Sequence, residues 1–550
     1  MNSVRSDFGD KILSNRFNPT RRQAAQQLLG FATTAVAGFS FPNISYAAVT
    51  AFRQAIAETA SRDEDLATFY RSRSFEGIWS RAEDADRRNA LLTAFSSAGN
   101  HGLPEARYDV DALIAQMQAA RTPAEQGAME VELSRLFLQY SRDISTGMLS
   151  PKRVDQHIVR EVPLRDRFKT IQTFATAEPF AFLRALPPSS TEYTRLMREK
   201  LRLEALMANS GWGDRVPNAR LELGSSGSSV VALRNRLISM GYLGRSATRN
   251  YDPAMAEAVA QFQASHGVDV DGTVGEGTLS QLNVSLSERL KSVLVAMERE
   301  RWINMPRGDR HIWVNLTDFT ASVVDHDRVT FTTRSVIGAR DEDRQSPEFS
   351  DTMEHMVINP SWYVPRSITT REYLPQMQRN AGAAGHLQII NRNGQVINRN
   401  NINFNNYNAS NFPFSMRQPP SNRNALGLVK FIFPNRYNIY LHDTPAKSLF
   451  GREVRAYSHG CIRLRDPFDF AYHLLAAQAA DPQEYFQSRL RTGVESRVNL
   501  ETQLPVHLVY RTAFTNVTGN LQFRRDIYGR DGRIWAALER EGVAVAAYQG

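Results

Sequence analysis

Apolar residues recur at three- and four-residue spacing from about residue 50 to 215, as in DALIAQMQAARTPAEQGAMEVELSRLFLQYSRDI, and that period predicts amphipathic helices. Proline and glycine punctuate the pattern at HGLPEARYDV and STGMLSPKRV. A compact unit follows at 217–284. Its serine-rich start, LELGSSGSSVVALRNRLISMGYL, caps a helix with Val230, Leu233 and Leu237 on one face. A second helix closes at Gly267, a turn falls at Asp271-Gly272, and a third short helix completes the unit. From 308 to 515 the period changes to two. HIWVNLTDFTASVVDHDRVTFTTRSVIG alternates apolar and polar residues, and MEHMVINPSWYVP, LGLVKFIF, NIYLHD and LPVHLVYRTAF continue the strand pattern. Within it, 371–425 carries the run NRNGQVINRNNINFNNYNASNF, whose turn formers predict an inserted lid or long loop rather than core strands. Residues 516–550 read as a short surface element ending in a helix. The patterning thus predicts a multidomain α plus mainly-β chain: a helical scaffold over 48–215, a three-helix module over 217–284 and a β-rich domain over 308–515.

Residues 1–47 fit neither period. Arg21 and Arg22 precede a stretch with no charged residue until Arg53, an apolar core over Leu28–Phe41, and small residues around Ser45-Tyr46-Ala47. That is the three-part plan of an export signal. Its start resembles a twin-arginine signal, with Ala24 and Ala25 where such signals carry bulky residues. The other reading is an uncleaved membrane anchor, against which stands an apolar stretch shorter than the ~20 residues a spanning helix uses. The expectation is a periplasmic protein that meets the membrane only through this segment, if it is uncleaved.

Charge and cysteine content narrow the chemistry. Lys and Arg total 66 against 57 Asp and Glu, a net +9, but no basic run is dense enough to indicate nucleic acid. A single cysteine in 550 residues excludes disulfides within the chain and zinc clusters built on several thiolates. No metal or cofactor is expected.

That cysteine, Cys461, lies in AYSHGCIRLR. One reading makes it a small buried apolar residue, as free cysteines commonly are. The other makes it a nucleophile. Upstream stands His442 in YNIYLHDTPAKSLF, at a predicted strand end. A thiol with a pKa near 8.5 is only a few per cent ionised at neutral pH, and an adjacent imidazole remedies that. The pair has the components of a thiolate–imidazolium dyad, although 11 histidines make spacing alone a weak signal.

The local words decide between the two readings. HDTP followed by SHGCIRL resembles the catalytic domain of the L,D-transpeptidase family, and NPSWYVPRSI and YGRD resemble its larger multidomain Gram-negative members. The 217–284 unit resembles a peptidoglycan-binding-like module through Gly224, Gly227, Leu233, Gly241-Tyr242, Ala258-Val259, Phe262-Gln263 and Asp271-Gly272. The resemblance implies Cys461 as nucleophile and His442 as the base that takes its proton. The imidazole would be oriented by a backbone carbonyl near Asp443 or by the Asp443 side chain. The oxyanion would be held by the N–H groups of Gly460 and Cys461 and the Tyr440 hydroxyl. Arg463 is the candidate for a substrate carboxylate, as a guanidinium binds one bidentately. His459 is a second base or, as favoured, a brace for the cysteine loop; Trp362 walls the acyl site or belongs to the core.

The implied reaction is acyl transfer from a tetrapeptide stem through a cysteinyl thioester to a second stem, giving a 3→3 cross-link. The implied partners are donor and acceptor stem peptides, with glycan strands as a further ligand if the three-helix module binds the wall polymer rather than serving as architecture. Two alternatives stand beside it: an exported cysteine peptidase that cuts stems, and a wall-binding protein without catalysis. The peptidase usually places its cysteine before its histidine, the reverse of the order here, and the intact His, His-Gly and Cys argue against the second.

Overall fold

The computed structural model describes residues 46–209 and 211–545, so the export segment lies outside the described residues but for its last two positions. The helical region is organised by Pro123–Thr146. Thr122 accepts the Glu125 N–H at 3.2 Å while the Glu125 carboxylate accepts the Thr122 N–H at 2.8 Å, a reciprocal cap with proline in the first turn. Tyr46–Ala60 crosses it closely at Gly127, where a Cβ would stand 2.5 Å from the Phe52 carbonyl. Glu130, fully buried on the same helix, accepts from the Ile78 and Trp79 N–H groups at 2.6 and 3.1 Å, so its desolvation is offset by fixed donors. No helix among the described residues is long and apolar enough to cross a membrane.

The three-helix unit consists of Ser228–Met240, Pro253–His266 and Glu276–Leu282. Val230, Leu233, Leu237, Val259, Phe262 and Leu282 form its core. Gln263 binds the turn that the sequence marks at Asp271-Gly272: its Oε1 accepts both N–H groups, at 3.0 and 2.8 Å. The helix Leu286–Trp302 then leads into the β domain and packs into the same core as the scaffold helices.

Eight strands close a circuit: β1 (Arg310–Asn315), β2 (Thr320–Asp325), β3 (Arg328–Gly338), β4 (Phe349–Ile358), β9 (Val429–Ile432), β10 (Leu441–His442), β12 (Ile462–Leu464) and β13 (Ser496–Val509). Their order is β3-β12-β10-β9-β4-β13-β1-β2, with β2 pairing back onto β3 and β11 (Ala456–Ser458) added beside the end of β3. Closure removes free sheet edges. Ile312, Val314, Met356, Phe431, Leu441, Ile462 and Val506 fill the core of this domain.

The asparagine-rich insert is more than a loop. β5 (Trp362–Tyr363), β6 (Gln388–Ile390), β7 (Val396–Ile397) and β8 (Ser415–Gln418) form a separate sheet in the order β5-β8-β6-β7. It has its own core of Leu374, Met377, Ile389, Phe404, Phe412 and Met416. The asparagines explain how such a sequence folds. Asn398, Asn403 and Asn408 each accept the N–H two residues on, at 3.0, 3.1 and 2.9 Å, turning the chain while the apolar residues between them are buried.

The C-terminal residues also depart from a surface element. β14 (Ala513–Thr515) pairs with β15 (Leu521–Phe523), and the helix Arg530–Arg540 buries Arg530, Ile534 and Leu538. Arg530 is wholly buried because it bonds Glu348 Oε1 at 3.1 Å, a carboxylate that Arg299 of the linking helix also engages. The backbone of Glu348 pairs in turn with the scaffold: its N–H donates to the His157 carbonyl at 2.8 Å and its carbonyl accepts the Val159 N–H at 3.0 Å.

Candidate active site

β10 and β12 are parallel neighbours, with Leu441 opposite Ile462 and His442 opposite Arg463. The Ile462 N–H donates to the Tyr440 carbonyl at 3.1 Å, extending the pairing back to the level of the cysteine. Leu441 and Ile462 are fully buried in the core. Because side chains alternate along a strand, Tyr440, His442, Cys461 and Arg463 share the opposite face. The Tyr440 and His442 rings stand 5.6 Å apart.

The turn before Cys461 is fixed by groups on both sides. Gly460 has φ +109°, a conformation that L side chains rarely adopt, and a Cβ there would come within 3.1 Å of Ile439. Ser458 Oγ accepts the Gly460 N–H at 3.1 Å and donates to the Cys461 carbonyl at 2.5 Å. Without substrate, the Gly460 N–H expected to face an oxyanion donates instead to the buried Ser458 hydroxyl. Ser346 Oγ donates to the Gly460 carbonyl at 2.6 Å and accepts the Gly338 N–H at 2.9 Å. Arg530 and Tyr528 hold that brace, donating to the Ser346 and Gly338 carbonyls at 2.7 and 2.6 Å. Ser346 escapes sequence reasoning because nothing near it marks it; Ser458 is visible as the first letter of SHGC, without its purpose.

His442 is buried, and its Nδ1 stands 2.5 Å from the Asp443 carbonyl. With the proton on Nδ1, the other ring nitrogen is free to accept one. Of the two orienting groups left open by the sequence, the carbonyl makes this contact. The Asp443 carboxylate is occupied elsewhere, by the Leu428 N–H at 2.9 Å and Lys447 Nζ at 2.7 Å.

Burial pushes the Cys461 thiol up to about 11, against the opposing pull of Tyr440 and the Arg463 charge. Burial, then the Arg463 charge, push the His442 imidazole down to about 3. Both shifts favour a neutral thiol beside a neutral imidazole over the thiolate–imidazolium pair expected from sequence. The sulfur is directed to the Asn438 carbonyl at 3.5 Å, and no hydrogen bond among the described residues joins it to His442. Asn438 offers that carbonyl from a left-handed conformation, φ +55°, which asparagine tolerates.

Arg463 makes no ion pair among the described residues, and its buried Nε lacks a partner. His459 is exposed and reaches Glu372 of the insert, Nε2 to Oε1 at 2.7 Å; Arg344 meets the same oxygen at 3.3 Å. It thus connects the cysteine loop to the insert. Trp362 packs in the insert's own core against Tyr373, with ring centroids 6.4 Å apart, and has no hydrogen bond or ring contact with Cys461 or His442.

A cysteine and a histidine on neighbouring strands of a closed β domain, behind a helical region and a three-helix module, define a multidomain protein with a thiol-based candidate centre. Comparison with known proteins shows what each part resembles. Residues 309–489 match the L,D-transpeptidase catalytic domain, 64–199 a scaffold domain and 226–282 a peptidoglycan-binding domain. The chain carries an L,D-transpeptidase catalytic domain. It is similar to a Haemophilus influenzae protein named "Putative L,D-transpeptidase", 28% identical over 242 residues, 44% of this chain. The match spans about half of that relative, 48% of its length. Among solved structures, an L,D-transpeptidase from Xylanimonas cellulosilytica is 16% identical, covering 54% of this chain and 98% of its own, with a TM-score of 0.17. One from Stackebrandtia nassauensis is 14% identical, covering 54% and 97%, with a TM-score of 0.21. Scores that low carry no argument about the chemistry.

Proposed function

We propose that the protein is a periplasmic L,D-transpeptidase that makes 3→3 peptidoglycan cross-links through a thioester on Cys461. The observation that carries this reading is the common face of Tyr440, His442, Cys461 and Arg463 on β10, β12 and the residues just before them. Rotation about Cα–Cβ takes Sγ from the Asn438 carbonyl towards His442. Sγ then attacks the amide carbonyl between the third stem residue and D-alanine, while its proton passes to the free imidazole nitrogen. The Tyr440 hydroxyl and the Cys461 N–H support the oxyanion. The C–N bond breaks, D-alanine leaves with the proton from His442, and the acyl group remains on sulfur. An acceptor amine attacks the thioester, His442 takes its proton, the C–S bond breaks and the thiol is restored.

Arg463 lies on β12, two residues beyond the nucleophile, and carries an unpaired charge, which suits a stem carboxylate. The insert, tied to the cysteine loop through Glu372 and His459, serves to keep water from the thioester. The test is muropeptide analysis by mass spectrometry in cells that express wild type or Cys461→Ala. The 3→3 dimers should disappear with the variant. Cleaved monomers from the wild type without dimers would replace this reading with a stem peptidase, and dimers from a folded Cys461→Ala protein would overturn the assignment of the nucleophile.

A further inference from the structure

A cleft of about 970 Å³ opens between the scaffold and the C-terminal helix, and none of the catalytic residues lines it. It forms where two helix stripes face each other. Arg135, Leu138, Gln139 and Arg142 occupy positions i, i+3, i+4 and i+7 of one stripe on Pro123–Thr146, and Arg533, Ala536, Ala537 and Arg540 do the same on Arg530–Arg540. The two alanines leave room between the helices, and the segment from Met148 to Thr170, with Asp63 and Arg107, supplies further wall.

Eight arginines and three carboxylates line this space, with no lysine. Four of the arginines are paired: Arg107 with Asp143 and Glu541, Arg135 with Glu132, Arg167 with Asp63 and Asp65, and Arg533 with Asp155. The other four, Arg142, Arg153, Arg165 and Arg540, have no ion-pair partner among the described residues. They come from three separate segments of chain and meet around one concavity. A surface arginine without a carboxylate is ordinary; four converging on a cleft concentrate positive charge and attract a ligand with several anionic groups.

Size and lining select among such ligands. The volume falls within the range of sites that enclose a small organic molecule or short peptide and far exceeds what a phosphate needs. Leu138, Met148, Leu149 and Val154 offer apolar wall between the guanidinium groups. The cleft therefore suits a short chain that alternates carboxylates with small apolar side chains.

We infer that this cleft is a second, non-catalytic site for an acidic peptide with several free carboxylates, and that the peptide is a peptidoglycan stem held while another stem reacts at Cys461. The identity of the peptide rests on the proposed transpeptidase reading; the anion site itself does not. Guanidinium groups bind carboxylates in paired hydrogen bonds, so the site would add affinity for the wall polymer without contributing to bond breaking.

The test uses the full chain with Cys461 alkylated by iodoacetamide, so that the catalytic centre is blocked. Calorimetric titration with a disaccharide-tetrapeptide should show binding that weakens at least tenfold in Arg142→Gln/Arg153→Gln/Arg165→Gln/Arg540→Gln and that falls as salt is raised. These side chains are exposed and make no ion pair among the described residues, Arg142 reaching only the Met148 carbonyl at 3.5 Å, so the variant should keep its melting temperature and its rate of Cys461 acylation by a carbapenem. A parallel titration with inorganic pyrophosphate separates the two kinds of anion. Pyrophosphate binding without peptide binding would overturn the acidic-peptide assignment, and so would peptide binding that the four substitutions leave unchanged. If the unmodified enzyme makes no cross-links while the alkylated protein still binds peptide through the four arginines, the transpeptidase reading fails and the cleft stands.

Discussion

His442 and Arg463 stand directly opposite each other on parallel neighbouring strands, so the base and the free guanidinium belong to one electrostatic unit. Burial lowers the basicity of the imidazole, and the Arg463 charge lowers it further. Arg463→Gln should therefore do two things at once. The acid limb of the pH–rate profile should move to higher pH, because removing a cation raises the imidazole pKa. KM for a stem peptide should rise about tenfold to a hundredfold through loss of a charge-assisted carboxylate contact. Steady-state kinetics from about pH 3 to 9 measure both, the acid limb lying near the His442 value of about 3, and an unchanged KM would remove Arg463 from substrate recognition.

A neutral resting pair has its own signature. With the Cys461 thiol at about 11, its thiolate fraction, and so its alkylation by iodoacetamide without substrate, should rise about tenfold per pH unit from pH 7 to 10. A stored thiolate–imidazolium pair would instead react at a nearly constant rate across that range. Intact-mass time courses distinguish the two, since the chain has 1 cysteine.

Asp443→Asn should retain activity within about tenfold, because the imidazole rests on the backbone carbonyl and asparagine still accepts the Leu428 N–H. His442→Ala should slow carbapenem acylation of Cys461 at least a hundredfold by removing the general base. Equal losses in the two variants would return the orienting role to the Asp443 carboxylate.

Ser458→Ala removes a hydroxyl that serves Gly460 and Cys461 together. The cost should be about 1–3 kcal/mol of stability, for a buried group left without its partner. Acylation by a carbapenem should slow about tenfold or more while the protein stays folded, read from the melting temperature and intact mass. A variant that melts lower but acylates normally would limit Ser458 to stability.

Acid should loosen the fold through histidines that the fold keeps neutral. His101 and His507 are each held down at about 4, first by burial, so both are neutral when folded and protonate near 6.5 when unfolded. The unfolded chain then binds more protons between those values. Stability is fully present above about pH 6.5 and is lost as pH falls towards 4. His507→Gln should flatten the fall in melting temperature between pH 7 and 5 relative to wild type; an equal fall would exclude His507 as a source.

Cys461 and His442 are legible in the sequence because each sits in a short word whose meaning is local, and the strands that carry them show a period of two. Arg463 is legible for the same reason, two places beyond the cysteine. The rest of the site depends on long-range pairing. Ser346 supports Gly460 from far along the chain, and Glu372 reaches His459 only because the insert folds. The insert hides its strands because short strands between asparagine turns offer too few residues for alternation to show. Arg530 reads as surface charge because nothing local reveals that Glu348 is waiting for it.

Sequence similarity marks 309–489 as a portable domain, but the mechanics of the site extend beyond it. A fragment trimmed to that match would leave β4 without β13, the Glu348 side chain without Arg299 and Arg530, and the Glu348 backbone without its His157 and Val159 partners. A central strand would become a free edge, ready to pair with another molecule. The heritable unit of this protein is therefore larger than the unit of resemblance, and anyone who transplants the cysteine loop into a new host must carry the scaffold strap, the linking helix and the tail along with it.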